Sequence, residues 1–413
     1  MSDSPQGLLA RLALVVVFAG LGRARPNWLV PVLLAAVPLQ LGIFPDVALA
    51  TLAVLGGVLG RAREIVRMVA RQPLAMGALG IFPLWIVAST LWARQAAFVA
   101  EALGKWLLLV AAASLAAIHE ERDPRPLVAG AIAGVVPSGL WALGERLHLI
   151  SPRGDPRILE EQLIRIGDLV RGRALFHHPN KLAEYVEQVG LLLAAVGFGG
   201  ILPFASLAGY AVAVAGVWGT GSMGALGIVA AGGVLVAAVA GRPRLVWRYR
   251  RGLIGAAAIG AGFITWLAFR EHGGLGSREI VYGFALEMIG QHPWLGIGGG
   301  NWSLAVGSAP LSVSRFWFQG HPHSLYLMIV AELGLVGLAF AAVFFGVPLW
   351  IAISRIAETA PEWRPVRIGA IAAIVAILAH GLVNYFLRYP VNGIATGLML
   401  GLALGGDRRG PGD

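Results

Sequence analysis

The chain has 413 residues, of which 57% are hydrophobic and 13% charged, with a mean hydropathy of +0.74. Soluble domains carry about 25% charged residues, so a string of soluble domains is excluded and the chain belongs in a bilayer. With no cysteine there is no disulfide scaffold, no Cys-ligated metal centre and no thiol nucleophile. The formal net charge of +10 in such a composition points to membrane topology rather than to nucleic-acid binding.

In chain order, the first apolar stretch, 8–22, contains Arg11 and lacks both a basic leader and a small-residue cleavage site before Arg23 and Arg25. It therefore reads as part of the mature chain, either crossing or lying along the inner surface. Apolar runs that cross, or nearly cross, about 30 Å of hydrocarbon follow at 28–43, 46–60, 74–93, 96–117, 127–147, 179–199, 201–217, 222–241, 252–270, 325–353, 367–387 and 390–406. The expected fold is all-α: a polytopic membrane protein of about twelve transmembrane helices, one integral membrane domain over 1–413.

Orientation follows from the arginines, which favour cytoplasmic loops. Arg61, Arg63, Arg67 and Arg71 form one cluster, and Arg242, Arg244, Arg248, Arg250 and Arg251 another. Placing both inside threads the chain consistently, with both termini cytoplasmic, segment 8–22 interfacial or partly inserted, and 148–178 and 271–322 outside. These two outer segments hold Arg153, Arg157, Arg165, Arg171, Arg173, Arg278 and Arg315, on the side that topology disfavours. Such charges suit anionic headgroups or an anionic substrate.

Within the larger segment, the apolar positions 280, 281, 284, 285, 288 and 289 recur at helical spacing. They predict an amphipathic helix with Ser277 at its start, stopped by a glycine-rich turn from His292 to Asn301. The strongest local feature comes next, Gly320-His321-Pro322-His323-Ser324 at the start of an apolar span containing Glu332. A surface histidine can serve as a general base near neutral pH, and arginine can hold a diphosphate through paired, charge-assisted hydrogen bonds. The same histidines could equally occupy a wet turn with Ser324 bonded to backbone.

His323-Ser324, nine residues, then Gly334-Leu335-Val336-Gly337 resembles the His-[Asn/Ser/Gln]-x9-Gly-x-x-[Gly/Thr/Tyr] pattern of bacterial O-antigen ligases. Arg278 followed by His292-Pro293-Trp294-Leu295-Gly296-Ile297-Gly298, and Phe176-His177-His178-Pro179-Asn180-Lys181-Leu182-Ala183 upstream, are similar to stretches of the wider ligase and polymerase superfamily. The resemblance covers motif and order over about residues 170–345. It implies a metal-independent, inverting glycosyltransferase of the membrane-embedded C-type architecture, without cofactor. Its partners would be an undecaprenyl-diphosphate-linked glycan donor, a lipid A-core acceptor and membrane lipids, with no nucleic acid. It also implies a location in the bacterial inner membrane, with the active site on the periplasmic face in the 271–322 loop and 148–178 as a smaller periplasmic segment.

By the same resemblance His323 activates the acceptor hydroxyl and Arg278 binds the donor diphosphate. One position departs: the family commonly has arginine where this chain has Met223. Arg94 and Lys181 are the candidate replacements on the diphosphate, Arg94 competing with interfacial snorkelling. His321, His177, His178 and Ser324 are further site candidates, although a turn before a helix is an ordinary place for each. His380 and Asn384 could form either a functional site or a helix-packing hydrogen bond. Two other functions stay open, an O-antigen polymerase with the same donor, and a lipid or solute transporter, which would often show two similar halves. No convincing internal repeat is visible in the sequence.

Overall fold

The computed structural model describes residues 5–39, 49–119, 123–152, 165–166, 169–176, 178–241, 277–310, 313 and 321–405. The expected span 252–270, the arginine cluster 242–251, the stretch 314–320 and His177 lie outside the described residues.

The described residues are helical almost throughout. In order come α1 (Pro5–Ala24), α2 (Pro26–Ala36), α3 (Leu49–Gly60), α4 (Ala62–Arg71), α5 (Pro73–Ala88), α6 (Ala96–Ala117) and α7 (Arg125–Arg146). A two-residue antiparallel hairpin, β1 (Arg165–Ile166) and β2 (Leu169–Val170), precedes α8 (Pro179–Phe198), α9 (Pro203–Thr220) and α10 (Met223–Gly241). Then follow α11 (Ser277–Gln291), α12 (Trp302–Gly307), α13 (Leu325–Ser354), α14 (Arg364–His380) and α15 (Pro390–Leu404). Several helices open on proline, at Pro26, Pro73, Pro179, Pro203 and Pro390, a residue whose fixed φ and missing N–H suit the first helical position.

Among the described residues six helices are long and apolar enough to cross a membrane: Pro73–Leu91, Ala96–Ala117, Arg125–Arg146, Pro203–Thr220, Met223–Ala240 and Leu325–Ser354. Pro26–Ala36, Leu49–Gly60 and Pro390–Leu404 are shorter apolar helices. The protein is a polytopic helical membrane protein. The ambiguous segment 8–22 is the body of α1, which runs along α3 with Gly56 and Gly60 against the backbone of Val15 and Ala19.

Small residues set the packing, as they do where lipid supplies no hydrophobic drive between helices. Gly393, Gly397 and Gly401 form one face of α15 against the α6 backbone, and Gly216 and Gly219 of α9 sit on Gly139 and Ala142 of α7. Helix α8 is buried on all sides among α7, α9, α10, α14 and α15, as expected of an element whose surface meets only other helices. It nevertheless carries Lys181, Glu184, Glu187 and Gln188 inside the bundle.

Candidate active site

Helix α11 begins at Ser277, as the periodicity predicted, and places Arg278 one turn before Tyr282 on the same face. The Tyr282 hydroxyl donates to the backbone carbonyl of His323 across 3.3 Å. Burial raises the Tyr282 pKa, and the Arg278 charge pulls against that rise. Tyr282 thus ties the helix that carries Arg278 to the turn that carries His323.

His323 sits in a left-handed backbone conformation, φ +50°. Its N–H donates to Nδ1 of His321 at 3.1 Å, and the two rings are 4.5 Å apart. An accepting Nδ1 leaves the His321 ring proton on Nε2. His321 is only 4% exposed and its ring faces Tyr385 at 5.5 Å. Ser324 is the N-cap of α13, accepting from Leu327 N and donating to the Gly381 carbonyl, each at 3.4 Å. These bonds are turn geometry, so His321 and Ser324 shape the bend that presents His323.

That bend rests on the 381–385 turn, where Leu325 N donates to Gly381 O at 2.7 Å and Asn384 O at 3.0 Å. The turn in turn rests on α8. Lys181 Nζ donates to the Tyr385 carbonyl (2.8 Å) and to Glu184 Oε1 (2.9 Å), which also accepts from Asn384 Nδ2 at 2.7 Å. Asn392 Nδ2 closes the network on Glu184 Oε2 and the Lys181 carbonyl. One turn deeper His380 Nδ1 meets Glu187 Oε2 at 2.9 Å. Lys181 is therefore 3% exposed and engaged within the bundle, and the polar residues of α14 join the same packing network.

Sequence reasoning placed Arg171 among general headgroup contacts; the structure gives it a fixed position. Its Nε donates to Thr220 O at 2.9 Å and its Nη2 to Asn180 Oδ1. The strap around it is anchored by Gly172 N on Gly219 O (2.9 Å) and by Glu145 Oε2, which accepts from Arg173 N (2.6 Å) and Ala174 N (2.9 Å). Arg146 holds the Val170 carbonyl at 3.1 Å and lies over the Trp218 ring. Burial, then the charges of Arg278 and Arg146, push the Arg171 pKa down to about 10. The Arg171 side chain also packs on Gly221, with Nε 3.2 Å from where a Cβ would stand, two residues before Met223. Met223 itself was the available signal, since a missing cation at this helix start calls for one from a neighbouring segment.

Arg94 is exposed and reaches Ser308 Oγ at 3.4 Å. His178 caps α8, its Nδ1 accepting from Asn180 N at 3.1 Å.

The glycine-rich turn and the Gly-Leu-Val-Gly stretch interlock. α13 breaks at Gly334 (φ +71°, ψ −176°), where the chain 293–298 lies alongside and completes its hydrogen bonds. Ile297 N donates to Ala331 O (3.1 Å), Gly298 N to Glu332 O (2.8 Å) and Leu335 N to Pro293 O (2.9 Å). Glu332 Oε1 accepts from Trp302 N at 2.9 Å, and Asn301 Oδ1 from Gln95 N at 3.0 Å. The motif glycines thus hold the turn after α11 against α13.

A family model described as O-Antigen ligase matches residues 208–342. Over this segment, about a third of the chain, the protein is similar to the O-antigen ligase family. No curated protein matches the chain. The ligase segment contains Met223, Arg278, Tyr282, His321, His323, Ser324 and the interlocked turn, whereas Arg94, Arg146, Arg171, His178 and Lys181 lie upstream of it. The ligase family is one of membrane enzymes of the O-antigen pathway.

Proposed function

We propose that the protein is an O-antigen ligase that transfers O-antigen polysaccharide from undecaprenyl diphosphate to a sugar hydroxyl of lipid A-core, on the periplasmic face of a bacterial inner membrane. The observation that carries this reading is the contact of Tyr282, one turn from Arg278, with the His323 carbonyl, inside the segment that matches the family.

In this reading His323 takes the proton of the acceptor hydroxyl as its oxygen bonds to the anomeric carbon. The bond from that carbon to the diphosphate oxygen breaks with inversion, and the leaving undecaprenyl diphosphate carries off the electron pair. Arg278 and Arg171 hold the charge that develops on it, a role for fixed donors in a partly desolvated site. Arg171 takes the place proposed for Arg94 or Lys181. It adjoins Arg278, whereas the Lys181 ammonium is committed to Glu184 and the Tyr385 carbonyl. No metal enters the scheme, because guanidinium groups supply the positive charge. The shorter apolar helices, α8, α14 and the segment 252–270 complete a domain of about twelve spans, with the 148–178 and 271–322 segments together on the periplasmic side.

The deciding experiment is an assay of the purified protein with an undecaprenyl-diphosphate glycan as donor, offering lipid A-core and a second lipid-linked glycan as acceptors. Product on lipid A-core supports the ligase. Lengthening of the lipid-linked glycan alone makes the protein a polymerase, and transfer to neither acceptor overturns both.

A further inference from the structure

His323 has φ +50°, a left-handed conformation that residues other than glycine sparsely populate and that persists where neighbours over-determine it. Two hydrogen bonds do so here, one on each side of the Cα. The His323 N–H donates to Nδ1 of His321 at 3.1 Å, and its carbonyl accepts from the Tyr282 hydroxyl at 3.3 Å. Because each peptide unit is planar, the first bond holds the plane before the Cα and the second the plane after it. Together they set the direction of the Cα–Cβ bond, and with it the imidazole. The first bond is local to the His-Pro-His turn, whereas the second comes from α11. Burial raises the Tyr282 pKa, so the phenol keeps its proton, and its donor, at physiological pH.

Helix α11 is seated by other residues. Val281, Ala285 and Met288 are buried, and the Phe284 ring meets the Trp302 ring edge-on with centroids 5.8 Å apart. The place of the Tyr282 hydroxyl therefore follows from the packing of α11. Arg278 lies one turn earlier in the same helix, about 6 Å away along its axis at about 1.5 Å per residue. We infer that Tyr282 is a positioning residue for the glycosyl transfer proposed above: through the His323 carbonyl it aims the imidazole from the helix that presents Arg278 to the donor. The inference rests on His323 as the base and Arg278 as the diphosphate ligand. One rigid helix then sets the reach from the leaving diphosphate to the base. Loss of the hydroxyl misaims the base and leaves the donor bound, and a displacement of about 1 Å can cost about 10²-fold in rate.

The test is steady-state transfer by the purified full-length protein from an undecaprenyl-diphosphate glycan to lipid A-core, with Tm measured alongside. Tyr282→Phe removes the hydroxyl and keeps the ring. It is expected to lower kcat about ten- to a hundredfold, with donor KM and Tm unchanged. p-Aminophenylalanine in place of Tyr282 returns an N–H donor to the end of the ring and should recover part of the lost kcat, which a loss due to ring packing would not do. Undiminished kcat in Tyr282→Phe overturns the inference, as does a loss that p-aminophenylalanine leaves unrecovered or one confined to donor KM. His323→Ala, run beside it, keeps this inference apart from the reading beneath it. Near-normal turnover in His323→Ala removes the base and the proposed mechanism together, whereas a large loss there beside normal turnover in Tyr282→Phe removes only the role of Tyr282.

Discussion

Burial and repulsion from the charges of Arg278 and Arg146 push the Arg171 pKa down to about 10, and its guanidinium is still protonated at physiological pH. That repulsion is relieved when an anion binds, and hydrogen bonds to charged groups contribute about 1.5–3 kcal/mol each. Arg171→Ala is therefore expected to raise the donor KM about ten- to a hundredfold, with the acceptor KM unchanged. Arg278→Lys should recover only part of what Arg278→Ala loses, because lysine lacks the paired donors. If Arg171 replaces the cation missing at position 223, Met223→Arg should restore donor use to the Arg171→Ala protein, and no rescue would separate the two positions. His323→Ala should lower turnover by about 10²–10⁴, the usual contribution of a general base, in a protein that still folds and inserts. Near-normal turnover in that variant would remove His323 from the chemistry.

At the scale of elements, the motif glycines and the buried polar residues support the site rather than react. Gly334 has φ +71° and ψ −176° and the Trp294 carbonyl occupies the place a Cβ would take, so a side chain there meets backbone in an essentially glycine-only conformation that costs other residues about 1–3 kcal/mol. Gly334→Ala is expected to lower both stability and turnover, while Gly346→Ala, with open space around it in the same helix, leaves both unchanged; equal effects would make the break in α13 incidental. Lys181→Met strands the Glu184 carboxylate in the bundle, a change that costs about 3–5 kcal/mol for a buried pair. Adding Glu184→Gln should return part of the lost Tm, and failure to do so would show that Lys181 acts through the Tyr385 carbonyl alone. This distinction also marks what the sequence could reveal. Apolar runs located the long helices, and the spacing of Ile280, Val281, Phe284, Ala285, Met288 and Ile289 located α11, because periodicity is a local property. His323 and Arg278 stand out in the sequence through their motifs. Arg171 and Tyr282 were not, since their meaning comes from contacts with Thr220, Asn180 and His323 that no local pattern encodes. For the same reason Lys181, conspicuous in a motif, looked like a ligand when its ammonium belongs to a network joining α8 to the 381–385 turn.

At the scale of the whole molecule, the surplus of basic residues divides between two ends. Among the described residues Arg63, Arg67, Arg71 and Arg364 are exposed at the end of the bundle away from His323, while the charges of Arg146 and Arg278 act on Arg171 at the other. The positive-inside rule accounts for a cytoplasmic first group, and the proposed ligase reading requires the second to face the periplasm. Because the chain has no cysteine, single introduced thiols report this sidedness without background. Glu287 on α11 and Glu358 after α13 are both exposed, at the His323 end and the opposite end respectively. With a membrane-impermeant maleimide and cells whose outer membrane alone is opened, Glu287→Cys is expected to label, and Glu358→Cys to label only after the inner membrane is also breached. The reverse pattern would put His323 in the cytoplasm, where lipid A-core awaiting a finished O-antigen chain is not presented, and the ligase reading would fall with it.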